Sequence, residues 1–268
     1  MKLITFDPFR TLGLPGVRYI KPEHMFAQRD ELLAADWVLF PAYWQIHGLH
    51  YVLQRALFPS LATYHLGHDK VEMTRALRLA CPDNVPETEI LSSSHSDVSR
   101  ILDTWSFPFV AKRVRSSQGD GVFLVENRQQ LLDYAAHNEV LYIQKLLPIV
   151  RDLRVVVVGR RIIASYWREG TSFHNNLARG ARVRTDLPVP DDALALVESL
   201  ARRLHIDHAG FDVAWVDGQP YVLEFNRLFG NRGIPDLPRR VGAAMRAYLL
   251  GESESPPDDS PAPMTRSA

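Results

Sequence analysis

Two β-hairpin signals in the second half of the chain constrain its fold more than any other feature. The stretch DLRVVVVGRRIIASYWRE contains two long β-branched runs that meet at Gly159-Arg160, and HAGFDVAWVDGQPYVLEFN contains two further runs that meet near Gly218. A hairpin pairs its strands antiparallel, whereas dinucleotide-binding folds join parallel strands through helices. The sequence therefore predicts a mixed α+β (α/β) fold and argues against a Rossmann fold.

The rest of the chain divides into further units. Residues 1–67 predict a small α/β domain, with short buried strands over 2–6 and 37–41 and helical spacing over 22–35 and 46–58. Residues 68–146 predict a central lobe that opens with a helix capped by Asp69, and residues 147–250 a C-terminal lobe. In that lobe we expect a helix over 191–204 capped by Asp191 and Asp192, and a last helix over 238–250. The Pro- and Ser-rich segment 251–268 has the composition of a disordered tail.

Bulk composition excludes several classes of function. Thirty-one basic residues balance thirty-one acidic ones, so the chain has no overall charge bias toward nucleic acid or an anionic membrane. The single cysteine, Cys81, cannot form an internal disulfide, and no apolar stretch is long enough to cross a bilayer. The first residues also lack the apolar length of a signal peptide. We therefore expect a cytoplasmic protein that binds neither nucleic acid nor a membrane.

The strand YVLEFN places polar side chains where a buried strand would hold apolar ones. Strict alternation assigns Glu224 and Asn226 to one face, and Tyr221, Leu223 and Phe225 to a core face. If Asp217, Gly218 and Gln219 form a three-residue loop, Asp212 of the partner strand lies opposite Glu224, on a face that it shares with the small residues Gly210 and Ala214. A two-residue Asp-Gly turn would put Asp212 and Glu224 on opposite faces.

Two carboxylates and an amide on one face repel each other and lose hydration unless a cation joins them. Asp212, Glu224 and Asn226 therefore predict a magnesium site, with manganese as the alternative ion, that shares its metal with phosphate oxygens. The competing interpretation is a solvated sheet face whose polar residues are unrelated. Including Asp212 favours the metal site.

Basic residues elsewhere fit the binding of phosphate. Lys112 ends the strand FVAKRV and feeds a loop in which Gly119 and Gly121 allow backbone N–H groups to approach an anion, although Asp120-Gly121 is also an ordinary hairpin turn. Alone, these residues favour the turn. Further polar side chains lie in the first hairpin or in the segment TSFHNNLARGARVRT that follows it. They fit either a polyphosphate site or an ordinary polar surface. These side chains are Asp152, Arg154, Arg168, Asn176 and Arg179.

Six segments in order resemble the ATP-grasp superfamily, and most closely its RimK-like amino-acid and peptide ligases, the α-L-glutamate ligase type. They are DKVEMTRAL with VPET, FVAKRVRSSQGDGV, YIQKLLPIVRDLRVVVV, FHNNLARGA, FDVAW and VLEFN. The resemblance covers residues 69–230 and implies two lobes that clasp ATP. It implies that Lys70 and Lys112 bind the nucleotide, that the backbone around Gln144, Lys145 and Leu147 contacts adenine, and that Asp152 reaches the ribose.

The resemblance also implies roles for the remaining site residues. Arg154 would join the phosphate cluster, Arg168, Asn176 and Arg179 would face the phosphates and acyl group, and the loop over 116–121 would close over the nucleotide. Asp212, Glu224 and Asn226 match the metal ligands of the family. Two departures are Gln144, where the family often has glutamate, and the run after Asn226, which has Arg227, Leu228 and Phe229 in place of small residues and proline. The second departure could reshape the acceptor pocket, where Arg227, Asn231 and Arg232 are candidate carboxylate contacts.

The implied activity is ADP-forming ligation of a carboxylate to an amine through an acyl phosphate. The substrates would be an amino acid and an amino acid, peptide or protein acceptor, and related ligases commonly pair as homo-oligomers. The alternatives are an ATP-grasp phosphotransferase and a non-catalytic nucleotide-binding module. The spacing of the pairs in HGLH and HLGH resembles that of metal ligands, but neither pair has a carboxylate or cysteine set beside it, which argues against a metal site at His47, His50, His65 and His68.

Overall fold

Three β-sheets organise the part of the chain that the computed structural model describes, which is residues 1–115, 121–170, 182–230 and 234–252. The N-terminal sheet is entirely parallel and has the strand order β2-β1-β3-β4. Its elements are β1 (Leu3–Thr5), β2 (Val17–Tyr19), α1 (Arg29–Leu33), β3 (Trp37–Leu39), β4 (Ala56–Phe58) and α2 (Leu61–Leu66). Residues 1–67 therefore combine a parallel sheet with helices, and their separation from the rest of the chain as a domain stays a prediction.

Two helical predictions in this unit are wrong in detail. The segment 46–58 forms one π-helical turn, Gly48–Val52, and then strand β4, while 22–35 holds only the 3-10 turn Pro22–His24 and the short α1. Gln54 takes a positive φ of 53°, which ends the helical path. Pairing of β4 with β3 completes the parallel sheet, and this long-range contact outweighs the local apolar period.

The central sheet is antiparallel, with the order β5-β8-β6-β7. The chain reaches it through α3 (Lys70–Ala80), whose N-cap is Asp69, as predicted: its side chain accepts hydrogen bonds from the amides of Val71 and Glu72. The elements that follow are β5 (Thr88–Ser92), α4 (His95–Thr104), β6 (Phe109–Lys112), β7 (Val122–Val125), α5 (Arg128–Ala136) and β8 (Val140–Lys145).

The C-terminal sheet contains both hairpins and has the order β11-β10-β9-β12-β13. Its elements are β9 (Arg151–Val158), β10 (Arg161–Glu169), β11 (Arg182–Arg184), α6 (Asp191–Arg203), β12 (His208–Val216), β13 (Gln219–Asn226) and α7 (Leu237–Leu249). Gly159 and Arg160, with φ of 60° and 66°, form the predicted tight turn between β9 and β10. The predicted cap of α6 is wrong, because Pro190 is the N-cap and both aspartates lie within the first turn.

The two faces of the C-terminal sheet pack against different parts of the chain. Val155, Phe211 and Val213 share one core with α6 and with Met73 and Leu77 of α3. The opposite face packs against α7 and against N-terminal residues that include Leu39 and Phe58. Helix α3 thus packs with the C-terminal sheet, although the boundary expected at residue 68 assigns it to the central lobe.

In the described ranges, no helix combines the length and apolar character that a membrane span requires. Of the predicted tail, Gly251 and Glu252 are described, and residues 253–268 lie outside the described part of the chain.

Candidate active site

The β12–β13 hairpin brings Asp212 opposite Glu224, as predicted, but through a different turn. Val216 pairs with Gln219, so the connection is the two-residue turn Asp217-Gly218, whose φ values are 52° and 79°. The expected three-residue loop is therefore wrong. An irregularity follows between the pairs Val213–Val222 and Asp212–Glu224, which leaves Leu223 as one extra residue on β13. This bulge restores the facing arrangement that a regular two-residue hairpin would have lost.

The same bulge changes which side chains of β13 face the core. Val222 and Phe225 are both buried in the cluster that contains Phe211, whereas Tyr221 and Leu223 are only partly buried. The predicted core set was therefore right for Phe225 alone, because strict alternation breaks at an inserted residue.

The three predicted metal ligands lie together at the end of this hairpin. The amide nitrogen of Asn226 lies 3.5 Å from Oδ2 of Asp212 and 3.4 Å from Oε1 of Glu224, so the amide group stands between two carboxylates. Rotating that amide by half a turn would present its oxygen instead. Oδ1 of Asp212 accepts no well-directed hydrogen bond from the described residues, although two arginine nitrogens lie close to it.

Two carboxylates, an amide and an under-used buried oxygen form a donor set that suits a hard divalent cation with few protein ligands. No group of three or more His, Cys, Asp and Glu side chains in the described ranges is arranged to hold a metal ion by itself. A cation here would therefore need ligands beyond the two carboxylates, such as the Asn226 amide and phosphate oxygens.

Two arginines from the β9–β10 hairpin hold the carboxylates in place. Arg154 places Nε at 2.7 Å from Asp212 Oδ1 and donates from Nη2 to Oδ2 at 3.2 Å. Arg168 donates to both oxygens of Asp152, from Nε at 3.0 Å to Oδ1, and places Nη2 2.8 Å from Asp212. All four side chains are buried. Burial raises the pKa of Asp152 to about 6, while Arg168 acts in the opposite direction.

Small residues beneath Arg154 make this arrangement possible. A Cβ atom added to Gly210 would lie 2.4 Å from Nη1 of Arg154 and 3.0 Å from Cβ of Phe229. Ala214, two residues beyond Asp212 on β12, pairs with Asp152 of β9. The expectation that Gly210 and Ala214 share a face with Asp212 has a physical reason here, because the arginine side chain occupies the space above Gly210.

The two predicted nucleotide lysines come from different elements, and the positive charge of each acts on Glu224. Nζ of Lys70, at the start of α3, lies 3.7 Å from Oε2 of Glu224. Lys112 ends β6, is 6% exposed, and places Nζ 5.5 Å from the ring centroid of Tyr142. Burial lowers the pKa of Lys112, and the charges of Glu224 and Asp212 oppose that shift. Burial would raise the pKa of Glu224, but Lys70 and Lys112 outweigh it and hold the pKa below its usual range.

The predicted adenine and ribose residues lie on β8, on β9 and on the connection between them. Gln144 is buried and donates to Oγ1 of Thr88 at 2.9 Å, while Lys145 is exposed and Leu147 partly buried on the connection to β9. Asp152 is engaged by Arg168, so its expected ribose contact stays a prediction, as does the approach of Arg168 to the acyl group.

The glycine loop is only partly described. The carbonyl of Gly121 accepts from the amide of Arg113 at 2.7 Å, which closes the base of the β6–β7 hairpin. Several predicted positions lie outside the described residues: Gly119, Asn176, Arg179, Asn231 and Arg232.

A neighbouring cluster was not expected to take part in the site. The rings of Tyr43 and His68 are stacked with centroids 3.6 Å apart, and His47 and His65 lie 5.6 Å apart beside them. Arg227, predicted as an acceptor contact, donates to the carbonyl of Gly67 at 2.6 Å. The adjacency of His68 to Asp69 and Lys70 in the sequence was the available signal for this cluster.

Comparisons with known proteins identify the family of the chain. The sequence profile of the RimK-like ATP-grasp domain matches residues 68–246. A probable alpha-L-glutamate ligase from an Enterobacter species is 30% identical over 194 residues, which span 66% of this chain and 64% of that relative. The ribosomal protein bS6–L-glutamate ligase of an Escherichia coli strain is 30% identical over 160 residues, which span 56% of this chain and 53% of that relative. The chain thus matches less than two thirds of the length of either relative.

Among solved structures, a RimK domain ATP-grasp protein from Sphaerobacter thermophilus superposes with a TM-score of 0.72 at 18% identity, covering 94% of this chain and 100% of that one. At this identity the likeness shows the fold alone, and it confirms the expected ATP-grasp architecture. The family profile spans most of the chain and includes Lys70, Lys112 and the β12–β13 hairpin. The chain therefore belongs to the RimK-like ATP-grasp domain family.

Proposed function

We propose that this protein is an ADP-forming ligase that joins a carboxylate to an amine at the expense of ATP. The observation that carries the proposal is that Lys70 lies 3.7 Å from Glu224, which adjoins Asn226 and Asp212, while the charge of Lys112, from a different element, acts on the same carboxylate. A site with cations on one side and a carboxylate pair on the other suits a triphosphate that shares a metal with the protein.

Family membership and the names of the relatives support an amino acid as a substrate. Two relatives are named for L-glutamate ligation, and one of them for ribosomal protein bS6. We infer an amino acid as one partner and an amino acid, peptide or protein as the other, with L-glutamate as the first compound to test. ATP as the energy source and the free, buried thiol of Cys81 support a cytoplasmic location.

Amide formation from a free carboxylate needs a better leaving group than hydroxide. In the proposed reaction the substrate carboxylate attacks the γ-phosphoryl group of ATP in line, and ADP leaves. The amine then attacks the carbonyl carbon of the acyl phosphate, and phosphate leaves. In phosphoryl transfer of this kind, the protein positions the reactants and neutralises charge, and no covalent nucleophile is required.

The described residues fit these tasks. We assign Lys70 and Lys112 to the phosphate oxygens, where fixed positive charge offsets the charge that develops during transfer. Asp212, Glu224 and Asn226 would hold magnesium, which supplies Lewis-acid neutralisation of phosphate charge when bound. Arg154 and Arg168 orient Asp212 through the buried ion pairs, and Asn176 and Arg179 are proposed to approach the acyl phosphate.

A product screen tests the proposal. Purified protein would be incubated with magnesium-ATP and pairs of amino acids and peptides, and ADP, phosphate and product masses would be measured. A ligase releases ADP and phosphate together with a condensed product. A phosphotransferase would leave phosphate on its acceptor, and a binding module would show no acceptor-dependent turnover.

Glu224→Ala is the matched variant for the screen. We expect it to stay folded and to lose ATP-dependent ligation, because the remaining carboxylate and amide make a poor cation site. Undiminished ligation by Glu224→Ala would refute the metal role of this residue.

A further inference from the structure

The second half of the proposed reaction requires a base. The acceptor amine is protonated at neutral pH, and an ammonium group has no lone pair with which to attack the acyl phosphate. We propose that His68 is the catalytic base that takes a proton from the acceptor amine; this inference rests on the proposed ligase function. Neither the family match nor the names of the relatives assigns a role to this histidine.

The backbone beside His68 is fixed against the metal strand. A Cβ atom on Gly67 would lie 3.1 Å from the ring of Phe225 and 3.2 Å from Cβ of Arg227, so the chain passes tightly over the two residues that flank Asn226. Nη1 of Arg227 also binds the carbonyl of Gly67 at 2.6 Å. The backbone that leads into His68 therefore packs against the end of β13.

The chain that follows His68 leads directly into the phosphate side of the site. Lys70 lies two residues further on and places its ammonium group 3.7 Å from Glu224. Consecutive Cα atoms are about 3.8 Å apart, so Lys70 and His68 share one short segment at the cleft. A group on this segment is well placed to meet a substrate that approaches the acyl phosphate.

The imidazole ring is held in a defined plane. It stacks on Tyr43 of the N-terminal unit at a centroid distance of 3.6 Å and an interplanar angle of 10°. The ring centroid of His65 lies 6.4 Å from that of Tyr43. The His68 side chain remains partly exposed, so a solute can reach it. Stacking on Tyr43 therefore orients a ring that a solute can still reach.

The charges around His68 favour its neutral form. Burial lowers its pKa, as do the nearby cations Arg227 and Arg115; Asp69 acts in the opposite direction, and His65 adds to the lowering. A neutral imidazole at physiological pH can accept a proton, whereas an imidazolium cannot.

Other acid–base groups near the described part of the cleft are less suitable. Both oxygens of Asp152 are bound by Arg168. Asp69 caps α3 through one oxygen and pairs with Arg115 through the other, at 3.6 Å. Burial raises the pKa of Tyr142 to about 12 and keeps it protonated.

The proposed step balances as follows. The acceptor ammonium group must lose two protons to become an amide nitrogen. The neutral imidazole of His68 takes one of them, and the freed lone pair forms the carbon–nitrogen bond. The carbon–oxygen bond to phosphate breaks, and the departing phosphate keeps its electron pair and takes the second proton. Imidazolium then returns its proton to water.

The test separates acyl-phosphate formation from capture of the amine. The full chain is incubated with magnesium-ATP and L-glutamate, either alone, so that a second L-glutamate is the amine, or with hydroxylamine. Hydroxylamine is largely unprotonated at neutral pH and needs no base. We expect His68→Gln to form hydroxamate at nearly the wild-type rate and to lose peptide formation by about 10²-fold or more.

His47→Gln is the matched control, because the ring of His47 lies 6.2 Å from the same Tyr43 ring but His47 is on a different segment from Lys70. We expect this variant to keep both activities. In the wild type, peptide formation should fall at acidic pH as His68 becomes protonated, and this acidic limb should be absent from the residual activity of His68→Gln and from hydroxamate formation.

The outcomes are distinct. Equal loss of both reactions in His68→Gln would mean a structural or nucleotide-binding role and would overturn the inference, as would unchanged peptide formation. Loss through a raised KM for L-glutamate with an unchanged kcat would mean substrate binding and would also overturn it. If the wild type forms neither hydroxamate nor peptide from L-glutamate, the proposed function itself fails for that substrate, and the inference fails with it.

Discussion

Gly210→Ala adds one methyl group at the point where Arg154 crosses the C-terminal sheet. The new carbon would lie 2.4 Å from Nη1 and 3.0 Å from Cδ of Arg154, and 3.0 Å from Cβ of Phe229. Arg154 is 7% exposed and holds Asp212 at 2.7 Å, so its guanidinium cannot move aside without loosening a buried ion pair. The substitution therefore strains packing and disturbs a predicted metal ligand together.

The expected size follows from these contacts. Overpacking a tight core costs about 1–3 kcal/mol, and loosening a buried ion pair adds part of the roughly 3–5 kcal/mol that breaking it would cost. Alanine has a lower backbone entropy than glycine in the unfolded chain, which offsets about 0.4–1 kcal/mol of this destabilisation. We expect a net loss of about 2–3 kcal/mol in the free energy of unfolding, which lowers Tm by about 4–12 °C in a domain of this size.

Thermal unfolding and ATP-dependent ligation would be measured on Gly210→Ala and on a matched control, Gly230→Ala. A Cβ atom on Gly230 meets no atom within 4 Å among the described residues, so the same chemical change should leave Tm nearly unaltered there. Wild-type Tm and turnover in Gly210→Ala would refute the claim that Arg154 packs against this glycine to hold Asp212.

Three further predictions concern buried charges and a helix cap. Arg168→Met leaves the carboxylates of Asp152 and Asp212 buried without the cation that they share. We therefore expect the free energy of unfolding, measured by denaturant titration, to fall by about 3–5 kcal/mol, with Arg168→Lys intermediate. A fall no larger than that for replacing a surface arginine would contradict this. Burial raises the pKa of Asp207 to about 6, so the protonated carboxyl group stabilises the folded protein fully below about pH 4, and this stabilisation is lost as pH rises through 6. Asp207→Asn should remove this pH dependence from the free energy of unfolding, and an unchanged pH dependence would assign it to another group. Asp69→Ala removes two hydrogen bonds at the start of α3 and should lower unfolding stability by about 1 kcal/mol, whereas no change would mean that water replaces the cap.

The sequence predicted the C-terminal sheet well because its signals are local. Gly159-Arg160 and Asp217-Gly218 both form two-residue turns with positive φ, and β-branched runs flank the first of them. The facing of Asp212 and Glu224 was also predicted, but for the wrong reason. It depends on a bulge at Leu223, and no residue pattern in β13 predicts this extra residue.

Features set by distant contacts were not predictable in this way. Strand β4 lies in a segment with helical apolar spacing and becomes a strand by pairing with β3. The pairing of Asp152 with Arg168 depends on the register between β9 and β10, which places the two residues directly opposite each other. The stacking of His68 on Tyr43 joins segments on different elements, so spacing alone made these histidines look unrelated to the site.

The most direct test of the proposed ligase chemistry follows an oxygen atom. A donor such as L-glutamate, labelled with a heavy oxygen isotope in its carboxylates, would be turned over with magnesium-ATP, and the released phosphate would be analysed by mass. Activation through an acyl phosphate transfers one labelled oxygen to each phosphate in step with amide formation, and Glu224→Ala should abolish both signals. Unlabelled phosphate released alongside product would contradict the account, because the carboxylate would then never have attacked the γ-phosphoryl group.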